Sequence, residues 1–395
     1  MSSQDNISRL EKLLFNVNEN ISKANGLSND FYISKEIYEL EKNQLLYKNW
    51  CGLGFGKDIP NVGDIKVINF LGLPLIVVRT SKKEINVFEN VCRHRGMILI
   101  NENKKNKKNK KNIRCPYHNW CYGLNGSLES TPHVGGIGNH QHEDVITSDL
   151  GLNKIRSYVW HDIIFVNITD DADHFCEHYS ELIDRWKDFD LPMFYGGHNS
   201  SFSLKLNANW KLAVENYCES YHLPSVHPDL NKTSKLQDHY NICNARNFSG
   251  QGSYYYRQLS DEKGNVFPDF EDLPNKWDKE TEYIALYPNV LMGVHRDLFF
   301  AVILIPESSK KTLEQAAFYF ADDVKNNNSL NNLIAQNKLF WKTIFEEDIS
   351  VVEGMQKGRQ GRSFDGGKFS PVMDVATHNF HKWVAEELLK SNSFK

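Results

Sequence analysis

Two pairs of cysteine and histidine constrain this chain more than any other feature of its sequence. His94 follows Cys92 after one residue, and His118 follows Cys115 after two. Each segment supplies one thiolate and one imidazole, whereas zinc fingers usually separate a cysteine pair from a histidine pair. Mixed ligation of this kind suits a [2Fe–2S] cluster in which two thiolates hold one iron and two imidazoles hold the other. A zinc ribbon, or two ordinary buried histidines, are the alternatives.

The residues around these pairs resemble those of the Rieske oxygenase α subunits. Residues 92–96 read CRHRG and residues 115–128 read CPYHNWCYGLNGSL, close to the signature of that family. The resemblance implies that both cysteines hold one iron of a [2Fe–2S] cluster and both histidines hold the other. It covers about residues 29–384.

The chain also departs from that family around the cluster motif. Asn119 stands where Gly is usual, and Cys121 stands where Ser or Thr is common, so we interpret Cys121 as a packing residue. The spacing between the two pairs is longer than usual because of a Lys/Asn-rich run over residues 101–112. We interpret this run as a solvated loop at the hairpin end opposite the ligand loops, with a nucleic-acid or partner patch as the alternative.

A second cluster of metal-binding residue types lies over residues 215–227. Glu215, Glu219 and His222 have helical spacing, which predicts that they share one face. Pro224 is expected to break the helix and let His227 return toward His222. Two imidazoles and one carboxylate form the facial triad of non-haem Fe(II) oxygenases. Two buried core histidines are the alternative.

The missing carboxylate is predicted to be Asp348. It interrupts the apolar stripe of a long amphipathic helix expected at 329–356, whereas Glu346 and Glu347 are expected to point away. A buried unpaired carboxylate is costly, so a metal partner would explain it, with a salt bridge to Arg or Lys as the alternative. The Rieske oxygenase resemblance implies that the third ligand lies here.

The same resemblance assigns Glu219 a catalytic role. In the family, the acid three residues before the first histidine bridges a Rieske histidine of the neighbouring subunit to an iron-ligating histidine. Many ring-hydroxylating members have Asp here, whereas members with Glu include oxygenases of carnitine, choline and glycine betaine. The alternative for Glu219 is a solvated helix acid.

The predicted function is a terminal oxygenase component that uses reductase-supplied electrons and dioxygen. It hydroxylates, oxidatively cleaves or demethylates a small organic substrate, preferably a quaternary ammonium or betaine compound. The aromatic run Tyr254–Tyr256 supports this substrate class if it forms a cation–π cage, although the run also suits a strand. The alternatives are an aromatic-ring-hydroxylating dioxygenase α subunit and an electron-transfer Rieske protein without oxygenase activity.

The resemblance further implies cofactors and partners. It implies a [2Fe–2S] cluster and a mononuclear Fe(II), with electrons from NAD(P)H through a separate flavin/iron–sulfur reductase, because no flavin or nicotinamide motif is present. Dioxygen is the co-substrate, and a homotrimer is expected, with a second type of subunit left open. A net charge of −4 gives no nucleic-acid footprint. The longest apolar stretch and the N-terminus suit neither a membrane span nor a signal peptide, so a cytoplasmic protein is expected.

An α+β fold is expected, with a β-rich Rieske domain and a helix-grip catalytic domain, an antiparallel sheet wrapped on a long C-terminal helix. The expected domains are an N-terminal helical arm packing on the catalytic domain (1–48), the Rieske domain (49–168) and the catalytic domain (169–395). Helices are predicted at 8–24, 34–47, 175–189 and 329–356, and strands at 65–70, 75–78, 85–88, 98–100, 158–166, 201–206, 283–287, 290–295 and 299–305.

Overall fold

In the computed structural model, the described residues are 14–101, 106–107, 110–243 and 246–390, with only the backbone described at 106–107. The chain divides into two compact units: Gly52–Asp171, and Met1–Cys51 together with Ala172–Lys395. The domain boundaries predicted from the sequence, at residues 49 and 169, each lie three residues before the corresponding boundary in the structure. Half of the Lys/Asn-rich run, residues 102–105 and 108–109, lies outside the described residues.

The first unit is built of short strands. Within its described residues, seven strands form a sheet in the order β1-β10-β9-β4-β3-β2-β5, and β6, β7 and β8 form a smaller sheet. Apolar side chains of both sheets pack into one core that includes Cys92 and Cys115. The strands are β1 Cys51–Phe55, β2 Ile65–Phe70, β3 Leu73–Arg79, β4 Ile85–Glu89, β5 Asn106–Lys107, β6 Asn112–Arg114, β7 Cys121–Gly123, β8 Leu128–Ser130, β9 Lys154–Trp160 and β10 Ile163–Asn167.

Two strand predictions in this unit were wrong. The run expected as one strand over 158–166 forms a hairpin, because Trp160 pairs with Ile163 across a two-residue turn. Both turn residues, His161 and Asp162, have positive φ (48° and 63°), a conformation that the usual Gly or Asn signals did not mark. Residues 98–100 form only an isolated bridge, between Ile98 and Val91.

The second unit is an antiparallel sheet that wraps helices. Among the described residues, its strands follow the order β11-β18-β17-β16-β15-β14-β13. β11 pairs with residues 319–320 of β18, and β12 pairs with residues 312–317 of the same strand. The expected strand 201–206 matches β12 at both ends. The strands are β11 Phe194–Tyr195, β12 Ser201–Leu206, β13 His239–Ile242, β14 Phe248–Ser253, β15 Thr281–Leu286, β16 Val290–Val294, β17 Leu298–Ser308 and β18 Lys311–Phe320.

A long helix lies against this sheet through aromatic contacts. Trp341 of the helix contacts Phe300 with ring centroids 4.5 Å apart, and Phe345 contacts Phe202 at 5.9 Å. The helix-grip α+β architecture is therefore confirmed. The helices are α1 Asp30–Ile33, α2 Lys35–Glu41 (continued by a π turn over Lys42–Leu46), α3 Phe175–His178, α4 Ser180–Arg185, α5 Trp210–Cys218, α6 Leu223–Val226, α7 Asn331–Gly358 and α8 Val375–Leu389.

Helix predictions were partly correct. α7 lies within two residues of its expected bounds at each end, whereas α8 was not predicted. The single helix expected over 175–189 is instead three short helical segments. Of the helix expected over 8–24, the described part ends after Phe15. Residues 1–13 lie outside the described residues. In the described part of the chain, no helix combines the length and apolarity that a bilayer crossing requires.

Candidate metal centres

The two Cys/His segments of the β-rich unit fold into loops of the same design. The amide of each cysteine donates to the carbonyl five residues later, at 2.8 Å for Cys92 and for Cys115. The amide four residues later donates back to the cysteine carbonyl, at 3.0 and 3.1 Å respectively. Two backbone bonds therefore close each loop and hold the cysteine and the following histidine in one turn.

This design explains why Asn119 can replace the usual Gly. The fourth residue after each cysteine has a left-handed backbone, with φ of 71° at Gly96 and 60° at Asn119. Asn is one of the few residues other than Gly that adopts this conformation at low cost. The substitution therefore preserves the loop. Cys121 lies in β7, buried, with its sulfur 3.8 Å from Glu129 Oε2.

The four predicted cluster ligands form two pairs. The rings of His94 and His118 have centroids 4.7 Å apart. Burial, and then the adjacent thiol of Cys115, raise the pKa of Cys92. Among the described residues, no three of these four offer ligand atoms that all lie within 4.8 Å of one another. A tetrahedral zinc ion, with bonds of about 2.0–2.3 Å, would need them closer, so the geometry favours two metal ions, each held by one pair.

The surroundings of these pairs also suit a cluster. Nδ1 of His118 is buried and has no hydrogen-bond partner among the described residues, as expected of a metal ligand. Trp120 stacks on His94 at 4.7 Å. The hydroxyl of Tyr122 accepts the amide of Arg93 at 3.0 Å and lies 3.2 Å from the sulfur of Cys92, so its proton is available to that sulfur.

In the second unit, Asp348 meets both predicted histidine ligands. Its Oδ1 lies 3.0 Å from Nε2 of His227 and 3.7 Å from Nε2 of His222, and one ligand atom from each of the three residues lies within 4.8 Å of the others. Asn216 donates to the same Oδ1 at 3.1 Å. Asp348 has no Lys or Arg partner among the described residues, contrary to the salt-bridge alternative. The three side chains fit a two-histidine, one-carboxylate iron site.

The backbone reaches this arrangement by a different route from the predicted one. α5 ends at Cys218, and Glu219 is extended with φ −127° and ψ 161°, so the continuous helix through His222 was wrong. Pro224 lies in the first turn of α6, where its missing N–H costs nothing. Glu215 does not share the site: it accepts the Tyr32 hydroxyl at 2.5 Å in a buried cluster elsewhere.

Glu219 is held against the first histidine rather than solvated. Its Oε1 lies 2.7 Å from Nδ1 of His222, while Oε2 accepts the amide of His222 at 3.2 Å and the amide of Tyr221. A carboxylate on Nδ1 favours the tautomer that leaves Nε2 free to bind a metal. Glu219 therefore fixes both the ring and the tautomer of His222.

Glu347 makes the equivalent contact on the second histidine, contrary to the expectation that it points away. Its Oε2 lies 2.7 Å from Nδ1 of His227, whereas Glu346 pairs with Lys342 on the exposed face of α7. Burial alone would lower the pKa of His227, but Asp348 and Glu347 raise it. The helical spacing of Glu347 gave no signal for this contact, because it depends on where the α6 segment lies.

Two adjoining cavities open at this site. The inner cavity, of about 70 Å³, is lined by the three candidate ligands and by aromatic side chains including Tyr217 and Phe345. The outer cavity, of about 260 Å³, shares Tyr283 and Trp341 with it. Together they form a path that leads from the candidate ligands between the sheet and α7.

The tyrosine run at 254–256 is not a strand. β14 ends at Ser253, and Tyr254 and Tyr255 are largely exposed. Tyr255 and Tyr256 line the outer cavity, and the Tyr256 hydroxyl donates to Oδ1 of Asp297 at 2.8 Å. Part of the run therefore faces ligand space, although not at the candidate ligands.

Two protein-family models match the chain. The model of the Rieske [2Fe-2S] domain matches residues 49–143, and the model of the ring hydroxylating alpha subunit catalytic domain matches residues 196–390. The first range contains both Cys/His loops, and the second contains Glu219, His222, His227 and Asp348.

Relatives of known name match over most of the chain. The carnitine monooxygenase oxygenase subunit of Acinetobacter pittii is 25% identical over 346 residues, which covers 85% of each chain. Choline monooxygenase, chloroplastic, of Arabidopsis thaliana is 22% identical over 371 residues, covering 91% of this chain and 82% of that protein.

Solved structures show the same fold. The quaternary ammonium Rieske monooxygenase CntA, in complex with L-carnitine, matches with a TM-score of 0.73 and 21% identity, covering 95% of this chain and 98% of the other. Naphthalene 1,2-dioxygenase from Rhodococcus sp. matches with a TM-score of 0.76 and 18% identity, covering 99% and 100%. At this identity the likeness concerns the fold alone.

Proposed function

We propose that this chain, which belongs to the Rieske non-haem iron oxygenases, is a terminal oxygenase component that acts on a small quaternary ammonium substrate. The family carries a Rieske [2Fe–2S] cluster and a catalytic non-haem iron, and an oxygenase subunit receives its electrons from a separate reductase. The substrate class, the ligand assignments and the assembly are our proposals.

The proposed cluster ligands are Cys92 and Cys115 on one iron and His94 and His118 on the other. The paired geometry and the unpartnered Nδ1 of His118 support this assignment. The proposed ligands of the mononuclear Fe(II) are His222, His227 and Asp348, supported by the convergence of their ligand atoms within 4.8 Å.

When bound, the cluster supplies electrons one at a time and the mononuclear iron activates dioxygen beside the substrate. The protein positions the groups that hold the iron. Glu219 and Glu347 accept the Nδ1–H of His222 and His227, so both rings present Nε2 to the same point. The aromatic side chains of the inner cavity lie beside that point and leave space for a small head group.

Glu219 also carries the proposed link between subunits. Its Oε1 already accepts from His222, and a carboxylate has lone pairs for a further imidazole N–H. We propose that a Rieske histidine of a neighbouring subunit supplies that N–H, in a homotrimer located in the cytoplasm. Glu219 would then orient one ligand of each metal centre and lie on the path of electrons.

The residues that line the inner cavity support the proposal that a cationic head group binds there. Four aromatic side chains line it: Tyr217, Tyr283, Trp341 and Phe345. Aromatic faces attract a quaternary ammonium group through their quadrupoles, by about 0.5–2 kcal/mol for each contact. A methyl group on the nitrogen would then lie beside the proposed iron, where hydroxylation leads to demethylation.

Oxygen uptake with product analysis tests this proposal. The purified chain with both metal centres and a reductase is supplied with γ-butyrobetaine, glycine betaine, choline and naphthalene in turn. We expect uptake coupled to a hydroxylated or demethylated product with one or more of the quaternary ammonium compounds. Product from naphthalene alone would instead support the aromatic-ring dioxygenase, the alternative that fits the shared fold.

The iron content per chain distinguishes the proposed oxygenase from the alternative, an electron-transfer Rieske protein. A Rieske protein without an oxygenase site would hold two irons per chain, whereas the proposed oxygenase holds three. The convergence of His222, His227 and Asp348 favours the oxygenase.

A further inference from the structure

Two buried side chains of the outer cavity have nitrogen atoms without a hydrogen-bond partner in the described part of the chain. His295 is 1% exposed, and neither ring nitrogen has a hydrogen-bond partner among the described residues. Asn337 is 3% exposed, and its Nδ2 has no partner there either. Both side chains line the cavity. Because an unsatisfied buried polar group costs about 1–3 kcal/mol, two of them in one cavity indicate a bound polar ligand.

These groups suit an acceptor-rich ligand. Burial lowers the pKa of His295 to about 3, so the imidazole is neutral and offers one N–H. The amide of Asn337 offers further N–H donors, and Arg257, also in the lining, adds a permanent positive charge. Among the described residues, no Asp or Glu lines this cavity. Asp297 lies behind the lining and contacts it through the Tyr256 hydroxyl.

The two cavities therefore differ in charge. The inner one is lined by aromatic faces, which suit a quaternary ammonium group, and the outer one combines neutral donors with Arg257, which suits an anion. We propose that His295, Asn337 and Arg257 form a carboxylate subsite for a zwitterionic substrate whose quaternary ammonium group lies in the inner cavity. This inference rests on the function proposed above.

The geometry of α7 sets the length of that substrate. Asn337, Trp341 and Asp348 lie one above another along one face of the helix, and eleven residues at 1.5 Å each separate the first and last by about 16 Å. A hydrogen bond of about 3 Å is needed at the Asn337 end. At the Asp348 end, metal coordination at about 2 Å and a reacting contact of about 3 Å are needed. Roughly 8 Å remain between the reacting methyl group and the carboxylate oxygen.

A γ-betaine fits that length better than shorter relatives. An extended chain advances about 1.2 Å per single bond, so the six bonds from N-methyl to carboxylate oxygen in γ-butyrobetaine span about 7 Å. Glycine betaine has four such bonds and spans about 5 Å, and choline has no carboxylate. The subsite therefore predicts the order γ-butyrobetaine, then glycine betaine, then choline.

Steady-state kinetics of full-chain variants with the reductase test the subsite. Asn337→Leu removes a hydrogen-bond donor, and Arg257→Gln removes a positive charge. The controls are the same substitutions at exposed positions, Asn332→Leu and Arg362→Gln. We expect the KM for γ-butyrobetaine to rise about tenfold or more in each subsite variant, with a smaller change in kcat and three irons per chain retained. The preference for γ-butyrobetaine over choline should fall by the same factor, and the controls should match the wild type.

Two outcomes overturn the inference, and they are distinguishable. If wild type prefers choline, or if the variants affect choline and γ-butyrobetaine alike, the subsite is wrong while the proposed function stands. If wild type turns over no quaternary ammonium compound, the proposed substrate class fails and the subsite fails with it. Should Asn337→Leu not fold, the exposed Arg257→Gln decides the question.

Discussion

Glu347 and Asp348, consecutive residues of α7, contact opposite nitrogens of the same imidazole. Glu347 Oε2 lies 2.7 Å from Nδ1 of His227, and Asp348 Oδ1 lies 3.0 Å from Nε2. His227 is 1% exposed, so the ring has little freedom apart from these contacts. Glu347 therefore fixes the tautomer and orientation of His227, and Asp348 lies against the nitrogen proposed to bind iron.

Removal of Glu347 should weaken iron binding without abolishing it. Without the carboxylate on Nδ1, the ring of His227 loses its fixed tautomer and part of its basicity, which typically costs 10- to 100-fold in metal affinity. We expect Glu347→Ala to show this loss and Glu347→Gln a smaller one, measured as Fe(II) affinity of the mononuclear site. Glu346→Gln is the matched control, because Glu346 pairs with Lys342 on the exposed face of α7 rather than with His227. Equal iron affinity in Glu347→Ala and the control would contradict the positioning role.

Tyr122 should tune the cluster. A hydrogen bond from its hydroxyl to the sulfur of Cys92 stabilises the reduced, more negative cluster. In Tyr122→Phe we expect the reduction potential to fall by up to about 60 mV, the one-electron equivalent of about 1.4 kcal/mol. Redox titration of the visible spectrum measures this. Tyr117→Phe removes an exposed hydroxyl from the neighbouring Cys115 loop and should leave the potential unchanged. An unchanged potential in Tyr122→Phe would show that the hydroxyl does not donate to the sulfur.

Glu219 should couple the two metal centres. Glu219→Gln weakens its contact with Nδ1 of His222, and Glu219→Ala removes it. We expect both variants to retain a reducible cluster and three irons per chain at saturating Fe(II), yet to lose most turnover. The measurement is single-turnover oxidation of the pre-reduced cluster with dioxygen and substrate. Product formation by Glu219→Ala at the wild-type rate would refute the bridge between subunits.

Breaking the buried ion pair between Lys211 and Glu41, which precedes β1 in the chain, should lower the free energy of unfolding. Nζ of Lys211 lies 2.8 Å from Oε2 of Glu41, and both side chains are fully buried. Lys211→Met leaves the carboxylate unpaired, which costs about 3–5 kcal/mol, whereas adding Glu41→Leu should recover most of the loss. Thermal unfolding compares the single and double variants, with exposed Lys205→Met as the control. A double variant no more stable than the single one would show that the cost lies in packing.

Strands with a clear apolar pattern were predictable from the sequence. β2 matches its predicted bounds, because a run rich in β-branched residues between turn residues marked them. The hairpin at His161 and Asp162 was missed, because this two-residue turn lacks the glycine that usually marks one. α8 was missed because its apolar residues pack against several elements at once, so no single face marked it.

The candidate site was predictable where ligands cluster in sequence. The Cys/His motifs, His222 and His227 could be identified from spacing, and Asp348 from its position in the apolar stripe. Glu347, His295 and Asn337 could not, because their roles depend on tertiary contacts between segments that are far apart in the chain. The helix predicted through Glu219 was wrong for the same reason, although the predicted proximity of Glu219 to His222 is seen.

The central claim is that one chain holds a cluster and a separate iron at His222, His227 and Asp348. Iron and acid-labile sulfide analysis of wild type and Asp348→Ala, with EPR of the reduced cluster, tests it most directly. We predict three irons and two sulfides per wild-type chain, and two irons and two sulfides in Asp348→Ala, with an unchanged cluster spectrum. Three irons retained in Asp348→Ala, or a wild-type chain with only two, would contradict the claim.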